Sequence, residues 1–126
     1  MNDSPAGFLP GRHPIDAYGE GGFKFAGMSH RGSLLALPSG LYAWEVAKPE
    51  EIDVAALGRV LEEAPGSVEH LLVGTGRDLA PLKPALVQRL RAAKIVAEPM
   101  ATGAAARTYN ILMGEGRRVA AALIAV

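Results

Sequence analysis

Leu71-Leu72-Val73 is an uninterrupted apolar run that stops at Gly74-Thr75-Gly76, and it restricts the fold more than any other stretch of the chain. A strand with one solvated face alternates polar and apolar residues, whereas a run without alternation marks a strand covered on both faces. The segment therefore belongs at the centre of a layered sheet, and its neighbours must supply the layers. Downstream, Leu82, Ala85, Leu86, Leu90 and Ala93 fall on one helical face, with Pro81 and Pro84 near the start. Residues 95–97 then read as a short strand, 102–115 as a further helix and 117–126 as a final strand. Upstream, Asp53 is a candidate N-cap for a helix carrying Ala56, Leu57, Val60 and Leu61 on one face, and Ala64-Pro65-Gly66 ends it. Strand and helix alternate, which favours a mixed or partly parallel sheet.

The first part of the chain has a different texture. Residues 1–14 hold Pro5, Gly7, Pro10, Gly11 and Pro14 among few apolar anchors, so they read as a flexible arm, and removal of 1–11 is expected to leave the melting temperature almost unchanged. Residues 15–126 read as a single α/β domain, in keeping with a chain of 126 residues and a radius of gyration of about 14 Å. Its opening portion, 15–37, mixes strand formers at 15–18, 23–25 and 33–37 with turns at Gly21-Gly22 and Ser29-His30-Arg31-Gly32, the pattern of an antiparallel meander. Another short strand, 41–46, follows Pro38-Ser39-Gly40 and places Trp44 at least partly in the core.

Composition removes several classes of function. Thirteen Lys and Arg residues balance thirteen Asp and Glu, so the basic excess expected of a nucleic-acid binder is missing. The absence of cysteine removes disulfides, thiolate nucleophiles and Cys-ligated zinc or iron–sulfur sites. His13, His30 and His70 are too far apart for a local metal motif, and no Gly-x-Ser-x-Gly elbow surrounds any serine. No catalytic residue, metal or cofactor is nominated. The longest apolar run, 119–126, is far short of the roughly 20 residues that cross a bilayer, so membrane insertion is not expected. Residues 1–8 show neither a signal peptide nor an Arg-rich presequence, which points to the cytoplasm, with room for peripheral contact with a membrane complex.

Two groups of residues are candidates for binding. In the helix at 102–115, Thr102 is placed to cap the first turn, and Ala104, Ala105, Thr108, Ile111 and Leu112 make a small-residue face that can approach a sheet. On the other side Gly103, Arg107, Asn110 and Gly114 recur at helical spacing, so a guanidinium and an amide project between two glycines. Such a stripe suits an anion, a peptide carbonyl or an acidic residue of a partner; equally, Arg107 has Glu98 and Glu115 as intramolecular candidates. The second group is Gly74-Thr75-Gly76-Arg77-Asp78, at the end of the central strand, where ligands gather in open α/β sheets. Leu79 stands where a dinucleotide fingerprint requires its third glycine and no Walker lysine is present, so a tight structural turn is the stronger reading there.

Gly22-Phe23-Lys24-Phe25, Leu72-Val73-Gly74-Thr75-Gly76 and residues 98–124, with Thr102, Ala105, Arg107, Thr108, Tyr109, Asn110, Leu112, Glu115, Arg117 and Val119, carry a resemblance to a known family. It is a family of small, largely uncharacterised α/β domains that includes the mitochondrial respiratory complex I (NADH:ubiquinone oxidoreductase) assembly factor 3. The resemblance extends over most of the chain from about Ile15. It implies a three-layer domain with a central mixed β-sheet, an additional N-terminal β element and flanking helices. It also implies a role in assembling a respiratory complex by binding early subunits or other assembly factors, and no enzymatic activity. Family members commonly carry a cysteine just before Arg-Thr-Tyr-Asn; Ala106 stands here, and nothing that needs a thiol is carried over.

Two functional readings result. The favoured one is a non-enzymatic protein-interaction module, in a bacterium meeting a membrane complex from the cytoplasmic side, with Arg107, Asn110 and the Gly74–Asp78 loop on its binding surface. The alternative is an anion-binding protein or enzyme using the same groove, with Arg107 and Thr75 holding the anion and Tyr109 or His70 carrying a proton. A deep pocket lined by Arg107, Thr75 and Tyr109 would favour the second, and a shallow, partly apolar patch the first. The sequence leaves the oligomeric state open.

Overall fold

A computed structural model describes residues 8–126. Nine strands are present among them: β1 (Phe8–Pro10), β2 (Ala17–Gly19), β3 (Gly22–Phe25), β4 (Met28–Arg31), β5 (Ser33–Leu37), β6 (Gly40–Trp44), β7 (His70–Gly74), β8 (Val96–Met100) and β9 (Val119–Leu123). The helices are α1 (Gly58–Leu61), α2 (Pro84–Ala92) and α3 (Thr102–Gly114), with short 3-10 turns at Pro49–Glu51 and Ala55–Leu57. Six strands form one sheet in the order β1-β6-β5-β9-β7-β8, and β2-β3-β4 form a separate antiparallel sheet. The large sheet is mixed: β7 runs parallel to β8 and β9, while β9 runs antiparallel to β5. The expected single α/β domain with a mixed sheet, an extra β element and flanking helices is what the chain forms.

Strand periodicity divides the core into two layers. Leu35, Leu37, Leu71, Val73, Ala120 and Ala122 point to the side covered by α1, α2 and the 3-10 turns, together with Leu57, Val60, Leu86 and Leu90. Leu34, Ala36, Leu72, Ala121 and Leu123 point to the other side, where they meet α3 and Phe23 and Phe25 of the small sheet. The run 71–73 is fully buried, as the missing alternation requires, and β7 is paired on both edges. The middle of the sheet is shared with β9, whose three alanines are wholly buried and keep the layers close. Trp44 is buried and donates its indole N–H to the Ala56 carbonyl at 2.8 Å.

Four expectations need correction. The arm expected over 1–14 is docked from Phe8 onward, since β1 pairs antiparallel with β6 and Arg12 Nη1 reaches the Val119 carbonyl at 3.2 Å; residues 1–7 lie outside the described part. The turn expected at Ser29-His30-Arg31-Gly32 is largely strand β4, because Ala26 and Gly27 both adopt positive φ (50° and 75°) and fold the chain into a two-residue hairpin. Glu20 and Gly21 (52° and 81°) do the same between β2 and β3, so the meander closes into a sheet of its own and only β5 joins the large one. The helix expected after Asp53 is one 3-10 segment, Ala55–Leu57, and the single turn of α1, although Asp53 Oδ1 does accept the Ala56 N–H at 2.8 Å. Lastly, β8 is longer than expected and forms an edge. Val96 N–H bonds to the Glu69 carbonyl and the Met100 carbonyl accepts from Thr75, both toward β7, so Ala97 and Pro99 face the open side.

Leu72→Ala is expected to cost about 2–5 kcal/mol in urea or thermal unfolding, since Leu72 is 1 % exposed between packed layers. Removal of residues 1–11 takes away the whole of β1, and a clear fall in melting temperature replaces the near-silence expected of a free arm.

Candidate functional site

The nominated residues fall into two neighbourhoods. At the end of β7 the chain comes so close to α3 that a Cβ on Gly74 would stand 2.9 Å from Thr102 Cα and 3.0 Å from Leu123 Cδ2. Thr102, wholly buried, donates its hydroxyl to the Ile124 carbonyl at 2.7 Å and accepts the Gly76 N–H at 3.0 Å. Its own N–H goes to the Gly76 carbonyl at 2.8 Å. Thr102 is therefore not the helix cap; that position is Ala101, and the threonine ties three segments together instead. Thr75, 2 % exposed, accepts the Ala80 N–H at 2.9 Å and donates to the Asp78 carbonyl at 2.7 Å. These bonds consume both hydroxyls, so Gly74, Thr75 and Gly76 form a tight turn. Arg77 and Asp78 remain exposed, on the rim of an open depression of about 390 Å³ that they share with Lys48 and Glu50.

The second neighbourhood is the outer side of α3, which the chain covers with its own residues 15–19. The Asn110 amide accepts the Ile15 N–H at 2.8 Å and donates to the Ile15 carbonyl at 2.7 Å, substituting for a neighbouring strand. Tyr18 lies across Gly103 so closely that any Cβ there would collide with its hydroxyl and ring. Arg107 Nη1 donates to the Tyr18 hydroxyl at 3.1 Å, so neither Glu98 nor Glu115 is its partner; Glu115 faces Arg117 at 4.0 Å. The buried face of α3 is Thr102, Ala105, Ala106 and Tyr109, and Ile111 is 60 % exposed, so the helix is turned by about one position from the expected face. The bulk of Tyr109 decides this, since its ring fills the core with no exposed area. Its hydroxyl lies 3.5 Å from the His13 carbonyl, and burial pushes its pKa up, against a smaller opposing pull from the Arg12 charge.

Arg107, Thr75 and Tyr109 therefore do not share a pocket, because two of the three present essentially no surface. His70 is half-buried at the start of β7, roughly 13 Å of strand rise from Gly74, with Glu69 at 4.0 Å. Among the described residues no His, Asp and Glu side chains gather in a group able to hold a metal ion, and no helix is long and apolar enough to cross a membrane.

A third feature did not emerge from sequence. A groove of about 530 Å³ opens on the small sheet, lined by Tyr18, Lys24, His30 and Arg31 among others. Lys24 projects outward between buried Phe23 and Phe25, and this alternation was the available signal for it. Tyr18 had a fainter one: a glycine at the second position of an otherwise alanine-rich helix, where something must lie close.

Comparison with known proteins is consistent over the domain. The profile of a family described as "Protein of unknown function (DUF498/DUF598)" matches residues 15–124. An uncharacterized protein of Rhodobacter capsulatus is 46 % identical over 114 residues, 90 % of this chain and 86 % of that protein. The mouse NADH dehydrogenase [ubiquinone] 1 alpha subcomplex assembly factor 3 is 33 % identical over 110 residues, 87 % of this chain; the match spans 59 % of that longer protein. Among solved structures, an outer membrane protein from Bartonella henselae superimposes with a TM-score of 0.88 at 50 % identity, covering 93 % of this chain and 98 % of the other. A Rhodopseudomonas palustris protein solved by NMR gives 0.83 at 51 %, covering 100 % and 91 %.

Asn110→Ala is expected to destabilise the fold by about 1–3 kcal/mol, because it strands both polar groups of Ile15, and amide exchange should accelerate at Ile15. Arg107→Ala, which loses one exposed contact, is expected to stay within about 0.5 kcal/mol of wild type in the same unfolding experiment. The pH dependence follows from Tyr109. Its folded pKa is raised, so its contribution is complete below the unfolded value of about 10 and is lost as pH climbs from there through the folded value. Urea midpoints measured across that window should fall more steeply for wild type than for Tyr109→Phe.

Proposed function

The chain belongs to the DUF498/DUF598 family, and from that premise we propose that it is a non-enzymatic protein-interaction module that assists the assembly of a respiratory membrane complex of the NADH dehydrogenase type. The observation that carries this reading is the match to the vertebrate assembly factor across 87 % of the chain. The geometry is compatible with it. Thr75, Thr102, Tyr109 and Asn110, which an anion-binding or catalytic groove would need, spend their polar groups inside the fold. What remains at the surface is Arg107 on α3 beside Tyr18 of β2, Arg77 and Asp78 at the loop, and the groove of the small sheet, all shallow and suited to a protein surface rather than to enclosing a small molecule. A standard interface needs roughly 800 Å² from each partner, which a domain of this size can provide. The working location is the cytoplasmic side of the membrane that holds the complex.

Affinity capture from gently solubilised membranes of the native host tests the proposal, with wild type, Arg107→Ala and Arg107→Lys compared as equally folded baits. Subunits of the NADH dehydrogenase complex should be enriched several-fold by wild type and clearly less by Arg107→Ala. Wild-type capture without any such subunit, together with an unchanged amount of assembled complex when the gene is deleted, rejects it.

A further inference from the structure

The groove of the small sheet carries a charge pattern that the fold does not use. Lys24 and Arg31 both line it, and neither forms an ion pair or a side-chain hydrogen bond among the described residues. Glu20, at the turn end of the groove, pairs with neither. In the hairpin register Lys24 faces Ser29 and Gly22 faces Arg31, so the two cations are diagonal neighbours on adjacent strands, which places them about 7–8 Å apart at their bases. Arg31 is free to lie over the turn because Gly21 has no side chain; its Nη1 is 3.8 Å from where a Cβ would stand. Ala17, Gly19 and Gly22 contribute no bulk between the cations, so the floor is main chain.

Resting on the reading of the domain as an interaction module, we infer that this groove receives an extended acidic segment of a partner protein, with carboxylates two residues apart engaging Lys24 and Arg31. Side chains at i and i+2 of an extended chain lie on one face about 6.6–6.8 Å apart, which matches the diagonal spacing of the two cations. A single phosphate calls for donors converging on one point, such as a nest of backbone N–H groups or a bidentate guanidinium. Here the two charges are separated by a strand spacing on long stems, and the groove is open. β2 and β4 are also edges of the small sheet, so main-chain groups stand beside the groove for an extended ligand.

Amide spectra of the 15N-labelled protein titrated with a short synthetic peptide alternating Asp and Gly test the inference. Saturable shifts should cluster in residues 17–31, weaken with added salt, and vanish for the same peptide carrying Asn in place of Asp. Lys24→Glu with Arg31→Glu should lower the affinity at least tenfold, the milder Lys24→Gln with Arg31→Gln pair should lower it by less, and Arg89→Gln, exposed on α2 across the large sheet, should leave it unchanged. Shifts elsewhere, or an affinity indifferent to charge reversal, overturn the inference. So does a response at these residues to inorganic phosphate or to vesicles containing anionic lipid when the peptide gives none. Capture of complex subunits by wild type and equally by the reversed variant would keep the interaction module and reject this groove. Peptide binding without capture of any complex subunit would keep the groove and reject the respiratory role.

Discussion

The junction between β7, β9 and α3 depends on one side chain. Thr102 is buried where three segments end, and its hydroxyl is the donor that satisfies the Ile124 carbonyl and the acceptor that satisfies the Gly76 N–H. A buried main-chain group without a partner costs on the order of 1–3 kcal/mol, so this one residue removes two such costs at a place where strand ladders and helix bonds both run out. The bond works only because Gly74 lets the strand come within contact of the helix start. From that junction the direction of α3 is set, and with it the surface on which the small sheet rests.

The small sheet is held to α3 by polar and steric fit as much as by apolar burial. Phe23 and Phe25 enter the core, but the segment leading into the sheet is fixed by the Asn110 amide and by Tyr18 over Gly103. An asparagine that reads as a recognition group is thus a piece of internal architecture, while Arg107 beside it stays exposed through its contact with a tyrosine hydroxyl that is itself on the surface. Neighbouring positions on one helix stripe divide between holding the fold together and facing outward.

How much of this was legible depended on the range of the contacts involved. The layered sheet was readable from 71–73, and α2, α3 and β9 from periodicity, because each signal lies within a few residues. Asn110 and Ile15 are 95 positions apart, and no local pattern announces that one will cap the other. The face of α3 was misjudged because the periodicity of small residues is compatible with more than one orientation, and the choice fell to where Tyr109 could be buried. β4 was missed because Met28, Ser29, His30 and Arg31 have no strand propensity of note; the paired positive φ values at Ala26 and Gly27 force them alongside β3 regardless. At Gly74-Thr75-Gly76 the departure from phosphate-binding patterns is visible in the residues themselves, whereas the bonds from Thr75 to Ala80 and Asp78 and from Gly76 to Thr102 are not.

Pro99 has a consequence for the way the domain can meet another protein. On the open side of β8 the two outward positions are Ala97 and Pro99, and proline has no N–H to offer. A strand arriving from outside would find one donor where a continuous ladder needs two, so this border of the large sheet is closed to growth by backbone pairing. Recognition through that side of the domain is left to side chains.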